Sequence, residues 1–385
     1  MSIKTTLKAS VAAAALIAVA APVISSPAEA GLKNGNDNSV TISGSLNRAL
    51  MYADNGKAND WSNVDGGTDN SRLRILVSGK LTDSIKVGGV WEANLPVSND
   101  GGLTSNQGAD DGATTNTDGG FVFRKTEVTF THATMGKLSI GQSSTSSDNK
   151  PSLDGTTNNN AGITHGGGMM VFDKTANANT AVTSGAAFAS YFGGRKDRVR
   201  YDTPSIMGFK GSASMADDGF WDTGLTYGAT YGDIQIAAAA QYANLGTDAS
   251  TTAASTATHG SNQYGVGLAL KHASGLSAGA HWGEEGNQSN AANAIAGHAW
   301  GVEAGYTTTA ISNLGSTSFE VVYANSNDAV LANMEAEVLS FHVQQKMPAG
   351  VDLYAAYVNA EFEDDNAGTN LEDLSVFMVG TRLSF

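Results

Sequence analysis

Arg72-Leu73-Arg74-Ile75-Leu76-Val77-Ser78 decides how the chain is read. Leu73, Ile75 and Val77 share one side of an extended chain, and Arg72, Arg74 and Ser78 share the other. That period of two marks a strand with one apolar and one polar face. Arg198-Val199-Arg200-Tyr201 and Thr381-Arg382-Leu383-Ser384-Phe385 divide in the same way. Carried outward, the alternation predicts sixteen strands. They lie near 39–52, 72–81, 85–95, 121–132, 136–143, 195–203, 209–216, 221–231, 234–245, 262–272, 276–284, 298–307, 317–325, 335–346, 351–362 and 373–385. Most match the ~9–11 residues of a tilted strand that crosses a bilayer.

The connections sharpen this. Thr82-Asp83-Ser84, Ala133-Thr134-Met135, Gly232-Asp233, Ala273-Ser274-Gly275 and Met347-Pro348-Ala349-Gly350 are tight turns. Long polar connections at 53–71, 96–120, 144–194, 246–261, 285–297 and 363–372 alternate with them. A closed up-and-down barrel, with turns at one rim and loops at the other, produces that pattern. Pro96, Pro151, Pro204 and Pro348 all fall outside the predicted strands, so no ladder donor is missing. In a bilayer only helices and closed barrels satisfy every backbone group. An apolar face toward lipid and a polar face toward a water-filled lumen explain strands that share no dry core. Tyr52, Trp91, Phe121, Tyr201, Phe209, Tyr231, Trp282, Tyr306, Tyr357 and Phe385 sit near strand ends, where interfacial girdles place aromatics. The competing reading is the core of a soluble β-sandwich.

Residues 1–30 read as a cleaved secretory signal peptide, and 31–385 as the barrel domain. Lys4 and Lys8 precede an apolar run from Ala9 to Ile24, and Ala28-Glu29-Ala30 has the small-x-small form of a cleavage site. The run is short for a membrane anchor and contains Pro22.

The chain has 385 residues, 46 Gly, no Cys and a formal charge of −15. The charge argues against nucleic acid as a partner. The lack of Cys excludes thiolate chemistry and Cys-ligated zinc. No HExxH, P-loop or G-x-S-x-G motif occurs, and no cofactor or metal is implied. Asp65-Gly66-Gly67, Asp100-Gly101-Gly102 and Asp110-Asp111-Gly112 are only fragments of calcium loops. An enzyme on the barrel needs a nucleophile–His–acid set, and none can be placed. An adhesin or solenoid needs repeats of ~20–50 residues, and none are visible.

Several segments resemble the general diffusion porins of Gram-negative outer membranes. Gly136-Lys137-Leu138-Ser139-Ile140-Gly141-Gln142 and Arg198-Val199-Arg200-Tyr201-Asp202-Thr203-Pro204 are similar to that family's fifth and sixth strands. Leu73-Arg74 through Gly79, then Val90-Trp91-Glu92, resembles its second hairpin. The last strand, ending in Phe385 with Phe377, Val379, Thr381 and Leu383 on one face, looks like its assembly signal. The resemblance implies an all-β, 16-stranded antiparallel transmembrane barrel with long outer loops and a third loop folded into the lumen. It implies a homotrimer in outer-membrane lipid that passes small hydrophilic solutes and ions by weakly charge-selective diffusion. A substrate-selective channel for a sugar or an anion is the alternative.

A channel works through pore width and lining charge. Residues 31–210 hold 17 basic and 17 acidic groups, whereas 211–385 hold 3 and 19. Alternation puts Arg72, Arg74, Lys196, Arg198 and Arg200 on the polar face, with Glu92 on that of its own strand. By resemblance, Arg74 with Arg200 or Arg198, and Arg124 on the fourth strand, line the wall opposite the third loop. Arg124 shares parity with Val128 and Phe130, so it reaches the lumen only if a bulge shifts the register. Arg48 is similar to a further basic wall position. The acids expected opposite are Asp148, Asp154 and Asp173 in 144–194, a segment that Gly166-Gly167-Gly168 would bend.

Overall fold

The computed structural model describes residues 38–65, 70–95, 121–148, 170–188, 191–246, 262–286, 296–329, 332–365 and 368–385. The strands are β1 (Ser39–Asp54), β2 (Asn59–Val64), β3 (Arg72–Lys80), β4 (Ile85–Asn94), β5 (Val122–His132), β6 (Gly136–Ser144), β7 (Met170–Asp173) and β8 (Ala178–Thr183). A one-turn helix, α1 (Ser184–Ala187), follows and is capped by Thr183. Then come β9 (Arg195–Asp202), β10 (Phe209–Ala216), β11 (Trp221–Tyr231), β12 (Ile234–Asn244), β13 (Asn262–His272) and β14 (Leu276–Gly286). The chain ends with β15 (His298–Thr308), β16 (Thr317–Asn327), β17 (Met334–Lys346), β18 (Val351–Asp364) and β19 (Leu374–Ser384). Among the described residues no helix is long and apolar enough to cross a membrane; strands do the crossing.

Sixteen of these strands close into an antiparallel barrel. Pairing runs from β1 through β3, β4, β5, β6 and β9. It continues in sequence order from β9 to β19. The ladder from Ser45↔Ser384 to Asp54↔Ser375 joins β19 back to β1. Closure leaves no edge for lipid to strip of partners.

Alternation sets the two faces. Leu46, Leu50, Ile140, Val199, Leu225, Val266, Val302, Leu339, Leu353 and Val379 are exposed on the outside, as lipid requires. Cross-strand aromatic pairs such as Tyr52–Trp61, Trp91–Phe123, Trp221–Tyr242 and Trp300–Tyr323 mark the loop end. Phe209–Tyr227 marks the turn end.

Two stretches read as connections contain structure. Within 53–71, β2 folds back on β1 from Asp54↔Asn59 to Ala49↔Val64, which makes the first loop a projecting hairpin. Within 144–194, β7 and β8 form a second hairpin. Val171, Val182, Ala187 and Phe188 of this segment join one buried apolar cluster with Met51, Val338, Val358, Val376 and Met378 of the wall. Those wall residues alternate with exposed Leu50, Leu339, Tyr357, Phe377 and Val379, so they lie on the inner face. Residues 370–372 extend the hairpin as a short third strand: Asp173 bridges Leu371, Lys174 N donates to Asn370 O, and Glu372 N donates to Phe172 O.

Candidate functional site

The registers align inner-face residues in rows across β3, β4, β5, β6 and β9. One row holds Arg74, Glu92 and Lys125. The next holds Leu76, Val90, Glu127, Gly141 and Arg198, followed by Ser78, Gly88, Thr129, Ser139 and Arg200. The row of Lys80, Lys86, Thr131, Lys137 and Asp202 closes the turn end. With Arg72, Lys196 and, on β10, Lys210, these strands carry a basic inner wall.

The wall has two hubs, each built on one buried carboxylate. At the loop end this is Glu92, whose side chain is 1% exposed. Arg74 Nε donates to its Oε2 at 2.7 Å, and Arg124 Nε donates to its Oε1 at 3.0 Å. Arg72 Nε lies 3.8 Å from Oε1 and donates to Asn94 Oδ1 at 3.4 Å. Arg124 arrives there because the β4–β5 register slips between Glu92 and Ala93, from Lys125 to Phe123. This bulge is the condition its parity demanded: two successive cations, Arg124 and Lys125, turn toward one acid. The Arg74 and Arg124 side chains keep 27% and 22% exposure, the most open among the paired arginines of the wall.

Toward the turn end the hub is Asp202, paired with Arg200 at 2.8 Å, Lys210 at 3.4 Å and Lys137 at 3.7 Å. Between the hubs, Arg198 Nη2 donates to Glu127 Oε2 at 2.7 Å, and its side chain is 3% exposed. Arg198 and Arg200 also hold backbone. Arg198 donates to Gly141 O and Ser144 O, and Arg200 donates to Ser144 O and Thr145 O, where the chain leaves β6. Gly141 has a φ of 122°, and a Cβ there would meet Thr126 O at 2.2 Å, so this bend needs glycine.

Beyond β6 the chain crosses the inner faces of β9 and β10. Ser146 N donates to Ser214 Oγ at 3.1 Å, and Ser147 N and Oγ both donate to buried Asp222 on β11 at 2.7 Å. The return leg is tied as well: Gly193 N to Ser147 O, Thr145 N to Gly194 O, and Gln241 Nε2 to Tyr191 O.

Three expectations need correction. Arg48 is no inner-wall residue: it shares parity with exposed Leu46 and Leu50 and donates to Asn63 O and Oδ1 on the outer side. Asp173 does not face the arginines. Its Oδ1 accepts from Thr175 N, Ala176 N and Asn370 N, so it caps its own turn beside the last loop. Arg198 is an anchor rather than an open lining cation, because its donors are paired and its side chain is covered. Asp148 is half-buried next to the loop root and within electrostatic reach of Arg195. Asp154, Gly166-Gly167-Gly168 and the leader lie outside the described residues. Lys125, Lys137 and Lys210 went unnoticed as wall cations, although alternation from Glu127, Ser139 and Ser212 would have found them. At inner parity on other strands stand Glu285, Glu303 and Glu320.

A model of the Gram-negative porin family matches residues 9–365. The chain belongs to that family. Among solved structures, the porin is similar to an anion-selective porin from Comamonas acidovorans, at 14% identity and a TM-score of 0.59, covering 90% of this chain and 100% of that one. It is similar to the outer membrane protein OmpT of Vibrio cholerae at 15% and 0.59, covering 93% and 100%. The outer membrane channel DcaP of Acinetobacter baumannii matches at 16% and 0.56, covering 93% and 100%. At these identities the likenesses show the fold alone. No curated protein sequence matches. Family and closed barrel together make the protein an outer-membrane channel for passive diffusion.

Proposed function

We propose that small hydrophilic solutes and ions diffuse through an off-centre neck, between the basic wall and the docked segment 170–188, and that anions are favoured there. The observation that carries this is a charge imbalance on one wall. Eleven cations (Arg72, Arg74, Lys80, Lys86, Arg124, Lys125, Lys137, Lys196, Arg198, Arg200 and Lys210) stand against Glu92, Glu127 and Asp202. Low-dielectric walls and little screening water make such a surplus act strongly on a passing ion. Arg74, Arg124 and Lys125 are the lining cations, while Arg72, Arg198 and Arg200 hold the wall and the loop root in shape. The apolar docking of 170–188 on β1 and β17–β19 supports a narrowed lumen, because its side chains cover that part of the inner face.

The same imbalance favours an anion-selective channel over a sugar channel as the second reading. The leader is removed after Ala30, three copies assemble in outer-membrane lipid, and the protein catalyses no bond chemistry. Reconstitution into a planar bilayer tests the channel directly. Stepwise ohmic openings in KCl, in groups of three, are expected; a folded barrel that gives no steps would contradict it.

A further inference from the structure

We infer that the channel carries a second, separate oxyanion site at its turn end, formed by Lys137 and Lys210 beside the Arg200–Asp202 pair. This rests on the channel reading above and adds a binding station to it. Gly136 opens β6 and Asp202 ends β9, so Lys137 and Asp202 are direct cross-strand partners. Asp202 also pairs with Ser212, two residues beyond Lys210 on β10. Three strands therefore bring three cations to one carboxylate that is itself 1% exposed.

The three cations are not used alike. Arg200 is consumed internally: Nε and Nη2 donate to Asp202 Oδ1, and Nη1 donates to Ser144 O and Thr145 O. The two lysines are not. Lys137 Nζ lies 3.7 Å from Asp202 Oδ2 and Lys210 Nζ 3.4 Å from Oδ1. Both distances are long for a charged hydrogen bond, and Asp202 Oδ2 accepts none among the described residues. Their side chains are 39% and 28% exposed at inner parity. Two ammonium groups, three donors each, thus face the lumen over a site with more positive than negative charge. A tetrahedral or carboxylate oxyanion has several acceptor oxygens and fits both ammoniums at once. Chloride, with no directed lone pairs, gains less from the pair.

The site is distinct from the Glu92 hub. Three inner-face steps separate their rows, about 20 Å along the strands at ~3.3 Å per residue. That exceeds the ~10 Å Debye length at 0.1 M salt, so each station holds its own anion. Two sites in series suit conduction, where an ion must bind and also leave.

The test uses full-length protein in planar bilayers in 0.1 M KCl, with inorganic phosphate added to one chamber at a time. Phosphate is expected to reduce chloride conductance saturably. Lys137→Gln with Lys210→Gln should raise the half-blocking phosphate concentration about 10-fold, and Arg74→Gln with Arg124→Gln less than 2-fold when phosphate enters from the turn side. The single lysine variants should each give about 3-fold, which keeps the test alive if the double variant folds poorly. Asp202→Asn, which adds positive surplus, should lower the concentration. No phosphate effect on wild type, or equal effects of the lysine and arginine pairs, would overturn the second site. Failure of the channel reading looks different: wild type would conduct nothing in KCl alone.

Discussion

The inner face of this barrel has two walls made by the same strand rule with opposite content. On β3–β6 and β9 the inward positions carry Arg74, Glu92, Lys125, Arg198 and Arg200. On β1 and β17–β19 they carry Met51, Val338, Val358, Val376 and Met378. The outward positions of both are alike, with Val199 and Ile140 on one side and Leu339 and Val379 on the other. What differs is the neighbour inside the barrel. The apolar wall meets Val171, Val182 and Phe188 and is dry, whereas the basic wall carries paired charges with Arg74 and Arg124 partly exposed. An inner face therefore takes its chemistry from what lies against it, and the proposed path follows the charged side.

The largest effect should come from breaking the dry side. Phe188→Ala removes a buried ring that contacts Phe362 at a centroid distance of 6.1 Å. Docking of 170–188 should weaken by about 3–5 kcal/mol. Limited proteolysis should then cut that segment, and single-channel conductance should rise. Next comes Glu92→Gln on the charged side, which leaves Arg72, Arg74 and Arg124 around a neutral group. Removing one partner of a buried ion pair costs about 3–5 kcal/mol. Heat-modified electrophoresis should show less folded barrel, and the fraction that folds should be more anion-selective.

Much of the charged side was legible. The alternation in Arg72–Ser78 fixes which residues face inward, and β3 runs from Arg72 to Lys80 as its pattern indicates. Arg48 was misplaced on the wall by resemblance, although its parity with Leu46 and Leu50 already put it outside. The dry side was not. Val358, Ala360 and Phe362 are inward while Tyr357, Asn359 and Glu361 are outward, a reversal of polarity. Nothing local explains it, because the covering hairpin lies far away in sequence. β2 was hidden because Asn59-Asp60-Trp61-Ser62-Asn63-Val64 shows no apolar alternation. The bulge that brings Arg124 to Glu92 is a register event between two strands and leaves no mark on either alone.

Smaller effects sharpen the contrast. Arg48→Gln should leave ion selectivity unchanged within error, because the side chain is outside; a clear shift in reversal potential would put it back in the lumen. Tyr191, on the return leg, is buried and its hydroxyl has no hydrogen bond among the described residues. Burial, then Glu285, Asp328 and Glu284, hold its phenol above the usual tyrosine range. Below pH ~10 it is neutral whether folded or not; above that, the unfolded phenol ionises first and stability falls with rising pH. Tyr191→Phe should therefore match wild type at pH 7 and exceed it by about 1 kcal/mol at pH 11 in thermal unfolding, at ~1.4 kcal/mol per pKa unit.

The central claim is that ions pass along the basic wall, and the zero-current potential across a bilayer under a KCl gradient tests it most directly. At 0.1 M and below, Arg74→Gln with Arg124→Gln should move the potential toward cation selectivity. The shift should fade toward 1 M, where the Debye length falls to ~3 Å. A potential that stays put in this variant, or moves toward anions, would contradict the account even with the barrel intact.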